Sequence, residues 1–216
     1  MPELIFVILI SYLIGAFPTA ILAGKLLKGI DIREHGSGNA GATNVFRVLG
    51  PKAGLIVLFI DMFKGFAPVW WLSGLIPAAQ GNPEYAALFQ ILSGLAAISG
   101  HIWTIFAGFR GGKGVGTAAG VFLALQPVPV LICLGIFIIV VSISRYVSLG
   151  SMTAAASLPI LLLLKNYVFA APVALTVFLL SCLLAVLIAF MHRENIRRLM
   201  SGTENKLSFS KKEVSE

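Results

Sequence analysis

Charge is scarce in this 216-residue chain: Asp, Glu, Lys and Arg together make up 12%, against 58% hydrophobic residues. No soluble domain of this size needs so large an apolar fraction, and long apolar runs are the signature of membrane spans. Cysteine is scarcer still. Cys133 and Cys182 lie inside apolar runs with no His or second Cys at ligand spacing, so they read as packing residues, not as a metal site or a disulfide. The little charge present is lopsided, with a formal net charge of +7. A basic balance can mean nucleic acid, but here Lys and Arg sit in short loops between apolar runs. That placement points to membrane anchoring, with no nucleic-acid partner. Basic residues are also missing before the first apolar run, which follows Glu3, and no small-x-small site follows it. It therefore reads as a retained first span and not as a signal peptide.

A helix needs about 20 residues to cross the hydrocarbon core. Clear candidates are 4–24, 53–76, 86–107 and 168–190. Between 115 and 164 the chain is apolar throughout, broken at Gln126-Pro127-Val128-Pro129 and at Ser144-Arg145-Tyr146. Positive charge fixes the count. The 25–52 loop carries Lys25, Lys28, Arg33, Arg47 and Lys52, the loop near 110 carries Arg110 and Lys113, and the tail carries Arg193, Arg197, Arg198, Lys206, Lys211 and Lys212. The 77–85 loop has Glu84 and no Lys or Arg. Reversal at Pro127 and Pro129 puts Arg145 and the basic tail on the same side as the first two loops. The expectation is an all-α polytopic membrane protein of about seven transmembrane segments, N-terminus out and C-terminus in. Segment 115–125 is too short to span and is expected as a short helix shielded by its neighbours. Residues 1–200 would form one membrane-embedded catalytic domain, and 201–216 a polar cytoplasmic tail.

With this topology three polar loops share one face: His35 to Arg47, Arg110 to Thr117, and His192 to Leu199. Glycine lets backbone N–H groups turn toward an anion without a Cβ in the way. Lys and Arg add charge, while Ser, Thr and Asn add neutral hydrogen bonds. The first two loops run into helices, whose N-termini favour phosphate. A phosphate-bearing ligand suits this chemistry; flexible turns with snorkelling cations are the plainer alternative. Two motif matches fail on context. Gly36-Ser37-Gly38-Asn39-Ala40-Gly41 fits G-x-G-x-x-G but no strand–turn–helix unit surrounds it. Gly112-Lys113 is not a phosphate-binding P-loop, because Ala107 and Gly114 stand where Gly and Ser or Thr are required. Inside the membrane, Asp61 and Lys64 share a helical face at i,i+3. They are read either as an internal ion pair fixing helix packing or as direct substrate contacts. His101 is read as a helix-packing hydrogen bond.

The three loops resemble the signature regions of the acyl-phosphate:glycerol-3-phosphate acyltransferases, the PlsY family. Ser37 to Arg47 is similar to S-G-N-x-G-A-T-N-x-x-R, Gly111 to Thr117 to G-G-K-G-V-A-T, and His192 to Leu199 to H-R-x-N-I-x-R-L. The resemblance covers nearly the whole chain; one departure is Gly116, where the family usually has Ala. It implies transfer of an acyl group from acyl phosphate to the 1-hydroxyl of sn-glycerol 3-phosphate. The products would be 1-acylglycerol 3-phosphate and inorganic phosphate, in phospholipid biosynthesis. It implies no cofactor, no metal, and a functional link to the enzyme that makes acyl phosphate. The location would be the bacterial inner membrane, with the active site facing the cytoplasm. Candidate catalytic residues are Ser37, Lys113, His192 and Asn195. Candidate substrate-binding residues are Gly38, Asn39, Thr43, Asn44, Arg47, Gly111, Gly112, Gly114, Thr117 and Arg145. The His-x4-Asp motif of many glycerolipid acyltransferases is absent: the residues five after His35, His101 and His192 are Ala40, Phe106 and Arg197. A transporter for an organic phosphate is the alternative that the intramembrane charges and broken helices allow. Clustering of the polar loops on one side, away from the midplane, and the lack of an internal repeat weigh against it. A CDP-alcohol phosphotransferase is excluded, since it needs several Asp on one helix and Asp61 is the single Asp in any span.

Overall fold

Proline and glycine set where this chain turns. The computed structural model describes residues 2–76 and 83–207, and among these the elements are all helical. Part of the 77–85 loop and of the basic tail, including Lys211 and Lys212, lies outside the described residues. Helices α1 (Pro2–Ala16) and α2 (Thr19–Lys28) form one span broken at Phe17–Pro18, because proline brings no N–H to the helical ladder. Short α3 (Ala42–Leu49) leads into α4 (Pro51–Ala67), which continues through a π turn at Pro68–Leu72 to Leu75. Pro68 removes one ladder bond there and loosens the winding. Then come α5 (Pro83–Ile102), α6 (Val115–Leu125), α7 (Pro127–Ser144), α8 (Val147–Tyr167), α9 (Leu175–Met191) and α10 (Arg193–Met200).

Five segments are long and apolar enough to cross a membrane, and α9 with α10, bent by 59°, makes a sixth. The reversal expected at Pro127 is present: α6 ends at Leu125 and α7 starts on Pro127, a favoured first helical residue. At 11 residues α6 is a helix but not a span, so spanning segments number six at most among the described residues, against the seven segments expected. The last span also starts later than the 168–190 expected from hydropathy. Pro172 disfavours helical geometry in the residue before it, Ala170 has a φ of 47°, and α9 begins only at Leu175.

The bundle pairs α1 with α5, α4 with α6, α7 with α8, and α8 with α9. Without water to drive them together, membrane helices associate through close backbone approach. The α4–α6 crossing shows this: a Cβ on Gly65 would run into Thr117 O, and one on Gly120 into Met62 O. Phe122, Ile98, Leu162 and Leu184 fill the interior, while Ile139, Ile143, Leu183 and Val186 stay exposed on the outer faces, as lipid contact requires. All three polar loops emerge at one end of this bundle, where they surround a common cavity.

Candidate active site

The cavity has a volume of about 610 Å3, within the range of small-molecule sites. Ser37, Gly38, Asn39, Thr43, Asn44 and Arg47 line it from the first loop and α3. Gly111, Gly112, Lys113 and Gly114 line it from the second, and His192, Asn195 and Arg198 from the third. Leu55 and Leu58 of α4, Phe137 and Val141 of α7, and Met191 form an apolar wall beside this polar end. Two candidates stand elsewhere. Thr117 is fully buried in α6, its Oγ1 without a hydrogen bond. Arg145 caps α7 in a left-handed conformation, exposed and outside the cavity lining.

Each loop is held in shape by its own sequence. Asn44, 1% exposed, uses its whole amide internally: Oδ1 accepts from Ser37 N at 2.8 Å, and Nδ2 donates to Ile32 O at 2.8 Å and His35 O at 2.9 Å. It lines the cavity but acts by fixing the Ser37 turn, where Gly36 and Gly38 take positive φ. Gly111 N and Gly112 N donate to Ile102 O and His101 O at 3.0 and 3.1 Å, so the second loop docks on the end of α5. His192 sits at the α9–α10 bend, and its Nδ1 lies 2.8 Å from Ile188 O. A carbonyl only accepts, so Nδ1 donates and Nε2 is left as the acceptor.

The charges converge on one carboxylate. Lys113 Nζ donates to Asn195 Oδ1, and Asn195 Nδ2 donates to Glu204 Oε1 at 2.7 Å. Glu204 also accepts from Ser148 Oγ and from Arg198 Nε, each at 2.8 Å. Burial alone would raise the Glu204 pKa; the bonds from Arg198, Asn195 and Ser148 outweigh it and hold the carboxyl below its usual value. Burial is the main cause that brings Lys113 down to about 8, Arg198 adds to it, and Glu204 opposes it. Burial likewise lowers Arg47, whose Nη2 donates to Asn205 O at 3.1 Å and whose Nε is unbonded.

Glu204 and Ser148 were not among the sequence candidates. Ser148 is one hydroxyl in an apolar helix with nothing local to mark it. Glu204 lies past the last motif, in a stretch that reads as a solvated tail. Yet the chain returns after α10: Leu207 N donates to Arg145 O at 2.7 Å, and Glu204 is 7% exposed. The intramembrane Asp61 and Lys64 form an ion pair, and Asp61 also lines the cavity. Lys64 Nζ lies 2.7 Å from Asp61 Oδ1, both buried, and Thr19 Oγ1 donates to the same oxygen at 2.5 Å. His101 adds the expected packing contact, its Nδ1 3.4 Å from Lys64 Nζ.

Comparison with known proteins gives the family. The sequence profile of a family described as glycerol-3-phosphate acyltransferase matches residues 5–202, from the first span through all three cavity-lining loops. The chain belongs to the glycerol-3-phosphate acyltransferase family. Among the members it is similar to are the glycerol-3-phosphate acyltransferases of Chlorobaculum tepidum and of Chlorobium phaeobacteroides strain DSM 266. The first is 46% identical, covering 95% of this chain and 97% of the relative. The second is 42% identical, covering 98% and 99%. Two crystal structures of PlsY, an integral membrane glycerol 3-phosphate acyltransferase, superpose on it. The glycerol 3-phosphate form has a TM-score of 0.83 and the lysophosphatidic acid form 0.80, each at 36% identity and over 95% of this chain. They cover 96% and 95% of the PlsY chains. The chain is thus an integral, multi-pass membrane acyltransferase. A glycerol-3-phosphate acyltransferase must hold an anion next to an acyl chain, and a cationic pocket against an apolar wall suits that pairing.

Proposed function

We propose that the donor is an acyl phosphate. The 1-hydroxyl oxygen of sn-glycerol 3-phosphate attacks the acyl carbonyl carbon, the bond from that carbon to the phosphate oxygen breaks, and 1-acylglycerol 3-phosphate and inorganic phosphate leave. The observation that carries this reading is the excess of cationic groups over acid lining the cavity: Arg47, Arg110, Lys113, Arg193 and Arg198 face Asp61, Glu194 and Glu204. Two phosphorylated substrates supply the missing negative charge, and fixed cations stabilise charge that develops on the leaving phosphate. Lys113 lies nearest the acyl phosphate, and Arg47 holds a phosphate through its planar fork. Ser37 polarises a reacting oxygen. His192 and Asn195 position glycerol 3-phosphate, since Asn195 is already tied to Lys113 and Glu204, and His192 Nδ1 bonds a carbonyl with no carboxylate behind it. The hydroxyl proton passes to a substrate phosphate oxygen. The lysophosphatidic acid form of the related PlsY supports this product class.

The cavity end of the bundle is assigned to the cytoplasm of a bacterial inner membrane, on the positive charge it carries. Residues 1–200 act as one catalytic unit, to which the polar segment from 201 onward lends Glu204. Purified protein supplied with palmitoyl phosphate and glycerol 3-phosphate should release phosphate only when both are present, and acyl-CoA should not replace the donor. Equal rates with acyl-CoA would overturn the donor. A cysteine placed at Ser201 should resist an impermeant thiol reagent added outside intact cells. Its counterpart at Asn82, and a second tail position at Ser208, lie outside the described residues; the first should react and the second should not.

A further inference from the structure

Asp61, Lys64 and His101 have no assigned part in the transfer described above, yet all three are buried, and Asp61 and His101 line the same cavity. Lys64 binds three elements at once. Its Nζ lies 2.7 Å from Asp61 Oδ1, and it donates to Phe17 O at 2.8 Å and to Thr19 Oγ1 at 3.1 Å, at the α1–α2 break. It also lies 3.4 Å from His101 Nδ1 on α5. His101 Nδ1 also lies 3.7 Å from Asp61 Oδ1, so the ring stands against the ion pair. Its Nε2 faces the second loop. A Cβ built on Gly112 would strike His101 Nε2, and it would come within 3.0 Å of Ala40 O in the first loop. The ring is therefore wedged against the turn that precedes Lys113, with the first loop on the other side. A void of about 10 Å3 lies beside it, lined by Thr19, Lys64, His101, Gly111 and Gly112 among others. That is room for one water at most, while His101, Gly111 and Gly112 also line the large cavity on the other side.

We propose that His101, held by the Asp61–Lys64 pair, is a positioning residue. It seats the Gly111–Gly112 turn and so fixes where the Lys113 ammonium meets the substrate phosphates. The inference rests on the reading of Lys113 as a phosphate-holding cation. Without the ring the turn keeps its bonds to the Ile102 and His101 carbonyls but loses its side-chain support, and Lys113 shifts from its partly buried place. The groups around it there are Arg47 of α3, His192, Arg193 and Arg198 at the α9–α10 bend, and Glu204 beyond α10. Freed from them, its ammonium holds its proton closer to the ordinary lysine value of about 10.4.

The test is a set of pH–rate profiles with palmitoyl phosphate and glycerol 3-phosphate on purified protein, with the folded fraction followed by thermal melting. The parent should lose activity as pH rises through about 8, and Lys113→Arg should remove that alkaline limb. His101→Ala should cost about 10- to 100-fold in kcat/KM, and its remaining activity should persist to higher pH than the parent's. His101→Gln, which keeps a polar group under the turn, should recover part of the rate and return the limb toward its parental position. An unmoved limb in His101→Ala, with activity falling only as the folded fraction falls, would overturn the proposal. So would failure of both His101 variants to fold, which would make the cluster a folding element. Retained activity in Lys113→Ala would instead sink the reading of Lys113 itself, whatever the His101 variants do.

Discussion

Two sets of cations in this molecule, one buried and one part-buried, meet opposite conditions. Beneath the cavity, the ammonium of Lys64 finds acceptors in Asp61, Phe17 O and Thr19, enough for its three N–H groups. In the cavity, Arg47, Lys113 and Arg198 share Glu204, and Arg47 Nε has no partner. The first arrangement is balanced and joins helices; a charge left alone there would cost about 2.5–3.5 kcal/mol on insertion scales. The second has positive charge to spare, which an anionic ligand would satisfy. Burial alone does not mark a functional charge; the lack of a fixed partner does.

The contrast is sharpest where a partner is removed. Asp61→Ala leaves Lys64 buried and uncompensated, so it should cost about 3–5 kcal/mol of stability. Thermal melting in detergent checks this, and an unchanged melting temperature would place the pair outside the packing scheme. Lys113→Ala should do the reverse. It should lower kcat/KM by about 100- to 1000-fold while leaving the melting temperature as high as the parent's or higher, measured by phosphate release and melting on one preparation. Arg47→Lys keeps the charge but loses the fork, and about a tenfold fall in kcat/KM is expected, close to 1.4 kcal/mol. A further effect is on stability against pH. Lys113 titrates at about 8 in the folded chain and at about 10.4 when unfolded. Between these values the unfolded chain binds a proton that the folded chain has lost, so stability should rise with pH. That rise should be missing from Lys113→Ala.

Much of this was legible in the sequence because membrane chemistry is blunt. Apolar runs of spanning length, the Pro127 reversal and the three loops on one face follow from hydropathy, proline and charge. Asn44 shows the limit: its place in the first motif is visible, but only the folded turn reveals an amide used up by Ser37, Ile32 and His35. Thr117 sits in the second motif, yet α6 has begun by then and turns it into the α4 interface. The late start of α9 was hidden by residues 168–174, which are apolar enough to pass for helix. Glu204 was invisible for another reason. Its partners, Ser148, Asn195 and Arg198, come from two helices, and a contact separated by 56 residues leaves no local period.

The position of Glu204 along the chain also bears on biogenesis. It follows the ten α-helices of the described residues, while the glycine loops it counterbalances are made early, and folding during synthesis proceeds from the N-terminus. A partly made chain can insert its spans and still lack the acid that fastens Asn195 and Arg198. On the role proposed for Glu204, the site would be complete only once the segment beyond α10 is made, after the bundle is in the bilayer. A proteolytic cut between α10 and Glu204 would return the enzyme to that unfinished condition without disturbing a single span.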